Sequence, residues 1–207
     1  MKLYHARLSS CSRRVMMTAH ILGISFDEIS IDLSRPDDRA TLAKVNPNGK
    51  VPVLEDGELR LWESHAIMQY LCERTPEQTL YPRSPQARAD VQRWLSWNNA
   101  HLAPWIGALS FERLWKKVLG RGGPDPAQTA RYEELLHPAL AVLDDHLAQR
   151  AWLSGDALTL ADLSLAATFM YEQPAELPVG EYRNLAPWQA RVHALDAWKR
   201  TDVALGR

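Results

Sequence analysis

Two short stretches place hydroxyl groups where a helix is expected to begin, and helix starts can bind anions. Ser9-Ser10-Cys11-Ser12 precedes an apolar-periodic run, and Glu63-Ser64 follows a predicted strand. A serine at a helix start accepts hydrogen bonds from unpaired backbone N–H groups. The same end of the helix attracts carboxylates. Helix capping alone also accounts for these serines, so both roles stay open at this point.

Other catalytic motifs are absent or incomplete. The stretch 120–123 is rich in glycine but lacks the preceding strand and the Lys-Ser/Thr pair of a phosphate loop, so we interpret it as a connector. The sequence holds no GxSxG elbow for a serine hydrolase. Its seven histidines form no HxxH or HxxxH pair, so no metal site is expected. Cys11 and Cys72 form no CxxC motif and no disulfide framework.

The elements that position these groups differ between the two parts of the chain. Up to about residue 80, short alternating runs and turn clusters predict the order β-α-β-α-β-β-α. Its strand-helix-strand opening implies a parallel pair of strands, and a hairpin about Asp56-Gly57 adds antiparallel ones. The predicted strands are 2–5, 26–31, 51–54 and 58–61, and the predicted helices are 12–23, 37–44 and one from Ser64.

After the linker at residues 75–85 the strand signals disappear. Helices are predicted at 87–109, 126–150, 160–172 and 186–200. Pro138 predicts a kink or break within the second of these. The stretch Thr159 to Asp162 predicts a capping box that fixes a helix start and has no chemical role.

Composition limits the class of protein. Of 207 residues, 46% are apolar and 24% charged, which is typical of a soluble globular protein. Twenty-four Lys and Arg against 25 Asp and Glu leave a net charge of -1, which argues against a nucleic-acid partner. There is no apolar stretch for a membrane span and no signal peptide, so we expect no membrane partner and a cytoplasmic location.

Four segments, taken in order and spacing, carry a resemblance to one protein family. The segments are Lys2 to Tyr4 with Ser9 to Val15, Asn46 to Leu54, Leu61 to Ile67, and Leu158 to Asp162. With them the chain resembles the cytosolic glutathione S-transferases, of the bacterial serine type (theta-, delta- or phi-like) or the beta-like type. The resemblance covers essentially the full length. It implies a thioredoxin-like α/β domain over 1–78 and an all-helical domain over 85–207 that forms the hydrophobic substrate site.

The resemblance implies a glutathione site made from two loops. Thioredoxin-like sites use a cis-proline to turn the preceding backbone outward, so Pro52 would let Val51 pair with the cysteinyl backbone of glutathione. Ser64 suits the γ-glutamyl carboxylate, Glu63 the ammonium group and Lys50 the glycyl carboxylate. Glutathione is then the co-substrate, and no metal is implied.

Conjugation requires the glutathione thiolate, and the energy needed to form it is modest. A thiol pKa of about 8.5 leaves about 3% ionised at pH 7. Lowering that pKa by about two units raises the fraction to about 75% and takes about 2.7 kcal/mol. One charge-assisted hydrogen bond contributes about 1.5–3 kcal/mol. A single hydroxyl donor, helped by the dipole of the first helix, is therefore sufficient.

The resemblance places Ser9 where serine-type members hold the activating hydroxyl. Cys11 falls where beta-like members keep a cysteine that forms a mixed disulfide with glutathione. Those members also carry a His-Lys pair where this chain has Ala103-Pro104, which favours Ser9. The remaining candidates are Tyr4, Ser10 and Ser12.

A second pocket, for a small hydrophobic electrophile, is expected between the loop after the first strand and the second domain. The resemblance also implies a homodimer in which the helix 64–74 packs against the partner's second domain. Two other functions remain open: a glutathione-dependent thiol-disulfide oxidoreductase or peroxidase that uses Cys11, and a non-catalytic binding protein. The electrophile candidates are Arg7, Leu8, His101, Trp105 and Arg113.

Overall fold

The computed structural model describes residues 1–203 and contains a four-stranded mixed sheet near the N-terminus. The strands are β1 Lys2–His5, β2 Asp27–Ser30, β3 Val53–Asp56 and β4 Leu59–Trp62. Their order across the sheet is β2-β1-β3-β4, with β1 parallel to β2 and antiparallel to β3. The strands β3 and β4 form an antiparallel hairpin. The predicted parallel opening and terminal hairpin are confirmed.

Three helices alternate with these strands in the predicted order: α1 Ser10–Leu22, α2 Pro36–Val45 and α3 Ser64–Glu73. Helix α1 begins two residues before its predicted start because Ser9 caps it, accepting the backbone N–H of Ser12 at 3.2 Å. It ends at Gly23, whose φ of 68° is rarely adopted by a residue with a Cβ atom.

The central strands β1 and β3 are buried on both faces of the sheet. On one face, Tyr4 and Val53 pack with Leu42 of α2 in an apolar cluster. Because side chains alternate along a strand, the directly paired Leu3 and Leu54 point to the opposite face. Both leucines are fully buried, and α1 and α3, which pack against each other, cover that side. Each buried leucine contributes about 1.5–3 kcal/mol, so the strands and helices are held in one register.

Helices alone make up the second part of the chain, as far as residue 203. A π-helical turn at 98–102 interrupts the helix predicted at 87–109. A second π-helical turn at 111–115 continues the helical structure beyond residue 109. The predicted helix 186–200 is two helices. No helix among the described residues is long and apolar enough to cross a membrane. The helices are α4 Pro85–Trp97, α5 Ala103–Ser110, α6 Lys116–Val118, α7 Pro126–Leu147, α8 Leu160–Thr168, α9 Leu185–His193 and α10 Asp196–Arg200.

The helix α7 runs through Pro138 without a break, contrary to one of the two outcomes expected there. A proline removes one backbone hydrogen bond from a helix. Leu136, Leu140 and Leu143 on either side of it are fully buried. Helical stability in proteins comes mostly from packing of such a face, and this packing outweighs the loss of one bond.

The predicted capping box at the start of α8 is confirmed, and its aspartate has further partners. Asp162 accepts the backbone N–H of Thr159 at 2.9 Å, as the box requires. The same carboxylate accepts the N–H of Leu153 and the indole N–H of Trp188, each at 2.9 Å. The carboxylate therefore ties α8 to the preceding loop and to α9.

The predicted domains 1–78 and 85–207 stay predictions, and contacts between residues group the described part of the chain into two units. One unit holds residues 1–81 together with residues 193–203, and the other holds residues 82–192. The C-terminal segment joins the first unit because Arg13 of α1 holds it. The guanidinium of Arg13 lies 3.7 Å from the ring centroid of Trp198 and donates to its carbonyl at 3.1 Å.

Candidate active site

Three loop ends meet at one edge of the sheet. The strand β1 ends at His5, and β4, which runs parallel to it on the other side of β3, ends at Trp62 opposite Val53. Val53 begins β3 and pairs with Tyr4, so Pro52 precedes it at the same edge. Since α1 follows β1 and α3 follows β4, both helix N-termini also lie at this edge. The topology thus brings together the segments that carry Ser9, Val51-Pro52 and Glu63-Ser64.

Ser9 occupies the N-cap of α1 directly after β1. Its backbone N–H donates to the carbonyl of Ala6 at 3.0 Å, and its Oγ accepts the N–H of Ser12. The Oγ of Ser12 in turn accepts the N–H of Ala6 at 3.2 Å. These bonds hold the loop between β1 and α1 in one conformation. They also leave the Ser9 hydroxyl with one proton to donate, because a hydroxyl donates one hydrogen bond and accepts two.

The other candidates for the thiol-activating group lie in different surroundings. Cys11 is a free, half-buried cysteine in the first turn of α1. Tyr4 is buried in the sheet core, and its hydroxyl donates to Glu55 at 3.1 Å. Burial and this hydrogen bond raise the pKa of Tyr4. The second cysteine, Cys72, is buried in α3, where desolvation raises its pKa to about 12.

The loop before β3 has the expected features. The Val51-Pro52 peptide bond is cis, as the resemblance implies. Asn46, buried at the end of α2, donates from its amide nitrogen to the carbonyl of Lys50 at 2.6 Å. Its Oδ1 accepts the N–H of Asn48 at 2.9 Å. This single asparagine therefore shapes the turn, and the side chain of Lys50 is exposed.

The loop before α3 differs in detail from the expectation. Ser64 is the first helical residue and is buried, whereas the N-cap position belongs to Glu63, which makes no side-chain capping bond. Glu63 has φ 72° and ψ 111°, a backbone conformation that costs a non-glycine residue about 1–3 kcal/mol. Such strain concentrates at functional sites. Glutamate is not a residue type that favours a positive φ, so nothing in the sequence indicates this backbone conformation.

A buried pair that the sequence did not predict joins α1 to α3. Nη1 of Arg14 lies 2.7 Å from Nε2 of His65, which follows Ser64. Both side chains are buried. Burial, and then the Arg14 charge, lower the pKa of His65 to about 3. The histidine is therefore neutral near pH 7.

Two electrophile candidates belong to the first unit. Arg7 and Leu8 lie in the loop between β1 and α1, and both are exposed. Arg7 also lines a cavity of about 370 Å³ between α1, the sheet and the C-terminal residues 200–203. Arg13 and His5 line the same cavity.

The three candidates of the second unit lie in three consecutive helical segments, two of them π-helical. A π-helical turn holds more residues than an α-helical turn, so it rotates the positions that follow it. His101 lies in the first π-helical turn, exposed and stacked on Trp97 with ring centroids 6.2 Å apart. Trp105 is half-buried in α5. Arg113, in the second π-helical turn, donates to Glu133 of α7 at 2.5 Å.

The described residues contain no group of three or more His, Cys, Asp or Glu side chains that could hold a metal ion. The groups that the structure places at this edge of the sheet are the Ser9 hydroxyl and the N-termini of α1 and α3. Such groups bind a peptide-like anion and stabilise a negative charge on it.

Comparisons with known proteins identify the family. The family model described as "Glutathione S-transferase, N-terminal domain" matches residues 1–73, and "Glutathione S-transferase, C-terminal domain" matches residues 126–198. "Glutathione S-transferase 3" of Zea mays is 31% identical over 99% of this chain and 94% of its own length. The chain belongs to the glutathione S-transferase family. A "Glutathione S-transferase" of Hyoscyamus muticus is 29% identical, with 97% of this chain and 96% of that protein covered.

Solved structures agree with this assignment. Glutathione S-transferase III in its apo form superposes on the chain with a TM-score of 0.84 at 31% identity, covering 100% of this chain and 97% of that one. The expected thioredoxin-like sheet with a helical C-terminal part is confirmed. This transferase uses glutathione as co-substrate and conjugates it, and the oxidoreductase and non-catalytic alternatives are not favoured.

Proposed function

We propose that this transferase ionises glutathione at the N-terminus of α1, with Ser9 as the hydrogen-bond donor to the thiolate. The observation that carries the proposal is that Oγ of Ser9 accepts the N–H of Ser12, which leaves the hydroxyl proton available for donation to a thiolate. The α1 dipole adds positive partial charge at the same place. The thiol releases its proton to solvent, and a sulfur lone pair forms a C–S bond to the electrophile. The electron pair of the broken bond leaves with the leaving group or moves onto the acceptor.

In this proposal glutathione lies across the edge of the sheet where the three loops meet. Val51 pairs its backbone with the cysteinyl residue, and the cis bond to Pro52 supports that placement. The N-terminus of α3 at Ser64 binds the γ-glutamyl carboxylate, and Glu63 binds its ammonium group. The exposed Lys50 pairs with the glycyl carboxylate.

The electrophile and the assembly are further parts of the proposal. We propose a small hydrophobic electrophile, with contacts from Arg7 and Leu8 in the first unit and from His101 and Trp105 in the second. We also predict that Arg113 contributes to the electrophile site, and substitution of Arg113 tests this role. Its side chain donates a hydrogen bond to Glu133. We also propose a cytoplasmic homodimer in which α3 packs on the partner. Sedimentation then gives twice the chain mass of 23.5 kDa, and a monomer mass would overturn it.

Substitution of Ser9 tests the central role. Ser9→Gly removes the hydroxyl but costs a helix cap only a few tenths of a kcal/mol. We expect kcat near neutral pH to fall about 10- to 100-fold, since one charge-assisted hydrogen bond is lost. The ultraviolet absorbance of the thiolate, followed against pH in the glutathione-saturated protein, should shift to higher pH. The affinity for glutathione should be retained.

Two matched variants complete this experiment. Ser9→Thr keeps both the cap and the hydroxyl, so it should restore the thiolate signal. Ser12→Ala removes a hydroxyl that holds only the loop at Ala6, so it should lower stability and leave the thiol pKa unchanged. An unchanged thiolate signal in folded Ser9→Gly would remove Ser9 from its proposed role.

A further inference from the structure

A buried arginine lies behind the two helix starts that the proposed function uses. Arg14, in the second turn of α1, is 2% exposed, and His65, in the first turn of α3, is 8% exposed. Their 2.7 Å contact joins the helices that carry Ser9 and Ser64. The contact therefore fixes the position of a cation beneath this edge of the sheet.

The guanidinium of Arg14 supplies the positive charge of the Arg14–His65 pair near pH 7. A guanidinium only donates hydrogen bonds, so Nε2 of His65 must accept, which assigns the ring proton to Nδ1. The lowered pKa of His65 agrees with a neutral ring. A guanidinium stays protonated in proteins, and its field is weakly screened where water is excluded.

The field of Arg14 reaches the first turn of α1. Arg14 lies three residues after Cys11 in α1, and side chains three residues apart are neighbours on a helix surface. The cation of Arg14 therefore lies beside the first turn of α1, which Ser9 caps. The adjacent Arg13 points elsewhere, since its guanidinium lies on Trp198.

We propose that Arg14, oriented by His65, is a positioning residue whose buried charge stabilises the thiolate of glutathione beside Ser9. This inference rests on the proposed function of Ser9. Two groups then stabilise the thiolate. The Ser9 hydroxyl donates a hydrogen bond to it, and the Arg14 guanidinium acts on it electrostatically through the protein interior. Neither Arg14 nor His65 needs to touch glutathione.

The test compares the pH dependence of the thiolate absorbance among variants of the full chain saturated with glutathione. In Arg14→Met the thiol pKa should rise by about one unit. The value of kcat at low pH should fall about tenfold and recover at pH above the shifted pKa. A purely structural role would lower activity at all pH values alike. In Arg14→Lys, which keeps the charge, most of the wild-type thiol pKa should return.

A second variant covers the case in which Arg14→Met does not fold. His65→Glu places a carboxylate against Arg14 and neutralises the pair, so it should raise the thiol pKa as Arg14→Met does. His65→Gln keeps a neutral acceptor and should preserve the wild-type value. Arg13→Met, which removes the neighbouring charge, should also preserve it.

The outcomes separate this inference from the function on which it rests. An unchanged thiol pKa in folded, glutathione-bound Arg14→Met or His65→Glu overturns the role of Arg14 while that of Ser9 stands. A wild-type protein that binds glutathione without a thiolate signal below pH 7 overturns both. A shift in both variants with none in Arg13→Met supports the inference.

Discussion

Ser9 and Cys11 lie two residues apart at the start of α1, and their chemistry differs. Ser9 caps the helix and offers a hydroxyl proton, while Cys11 lies half-buried in the first turn. A hydroxyl stabilises a thiolate without changing covalent bonds, whereas a cysteine exchanges disulfides with it. Substitution of each residue therefore gives a different result.

We predict that Cys11→Ala changes kcat by no more than about twofold, because a substitution away from the activating group has a small effect. Steady-state conjugation rates and mass spectrometry after treatment with oxidised glutathione measure this. Ser10→Ala, one residue earlier in the same turn, is the matched control. A tenfold loss in Cys11→Ala alone, with a wild-type adduct on Cys11, would transfer the role to the cysteine.

His65 makes the stability of the protein depend on pH. Its pKa is about 3 in the folded chain, against about 6.5 when unfolded. Below about pH 6 the unfolded chain binds a proton that the folded chain does not. The free energy of unfolding should therefore fall by about 1.4 kcal/mol per pH unit from this group, with its full contribution present above pH 6.5.

Denaturant unfolding of wild type and His65→Gln between pH 7 and about pH 4 measures this effect. The other histidines are common to both proteins, so their contributions cancel in the difference. Wild type should lose stability more steeply than the variant as the pH falls. If the free energy of unfolding fell equally with pH in wild type and His65→Gln, the prediction would be contradicted.

At the scale of elements, a single carboxylate organises the start of α8. Asp162 accepts hydrogen bonds from Thr159, Leu153 and Trp188, which belong to the cap, the loop before it and α9. Burial raises the pKa of this carboxyl, and these hydrogen bonds lower it. A helix cap that also joins two neighbouring segments contributes more than a cap alone.

We predict that Asp162→Ala lowers the free energy of unfolding by about 4 kcal/mol or more, because four buried donors on Thr159, Leu153 and Trp188 lose their acceptor at about 1–3 kcal/mol each. Thermal or denaturant unfolding measures the loss. Asp156→Ala, at an exposed position in the preceding turn, should stay within about 0.5 kcal/mol of wild type. If the two variants were equally stable, the hydrogen bonds of Asp162 to the preceding loop and to α9 would not contribute the predicted stability.

At the scale of the whole molecule, the first unit is built from both ends of the chain. The C-terminal segment reaches it through Arg13, whose side chain contacts Trp198, Thr201 and Asp202. The cation–π contact and the hydrogen bonds to a buried guanidinium make this attachment stronger than a surface ion pair. The first unit therefore includes residues 198–202 through their contacts with Arg13.

We predict that Arg13→Met lowers stability by about 2–3 kcal/mol and increases amide hydrogen exchange in residues 196–203. Arg200→Ala is the control, because its pair with Asp196 is exposed and such pairs contribute about 0–1 kcal/mol. Unchanged exchange in Arg13→Met would show that other contacts hold the segment.

Local sequence patterns determined most of the architecture and part of the site. Alternation predicted the strands, Asp56-Gly57 predicted the hairpin, and Thr159 with Asp162 predicted the cap of α8. These patterns succeed because they depend on neighbours within about four residues. The motif around Val51-Pro52 pointed to the family through resemblance, and the cis bond agrees with it.

Packing over long distances in the chain decided the rest. Arg14 and His65 are 51 residues apart, and Arg13 and Trp198 are 185 apart, so no local pattern relates them. The strained backbone of Glu63 is likewise imposed by its surroundings, since its residue type favours no left-handed conformation. The sequence by itself determined which groups could activate a thiol. Only the tertiary structure decided that Arg14 and His65 are buried against each other, because that contact forms when α1 and α3 pack together.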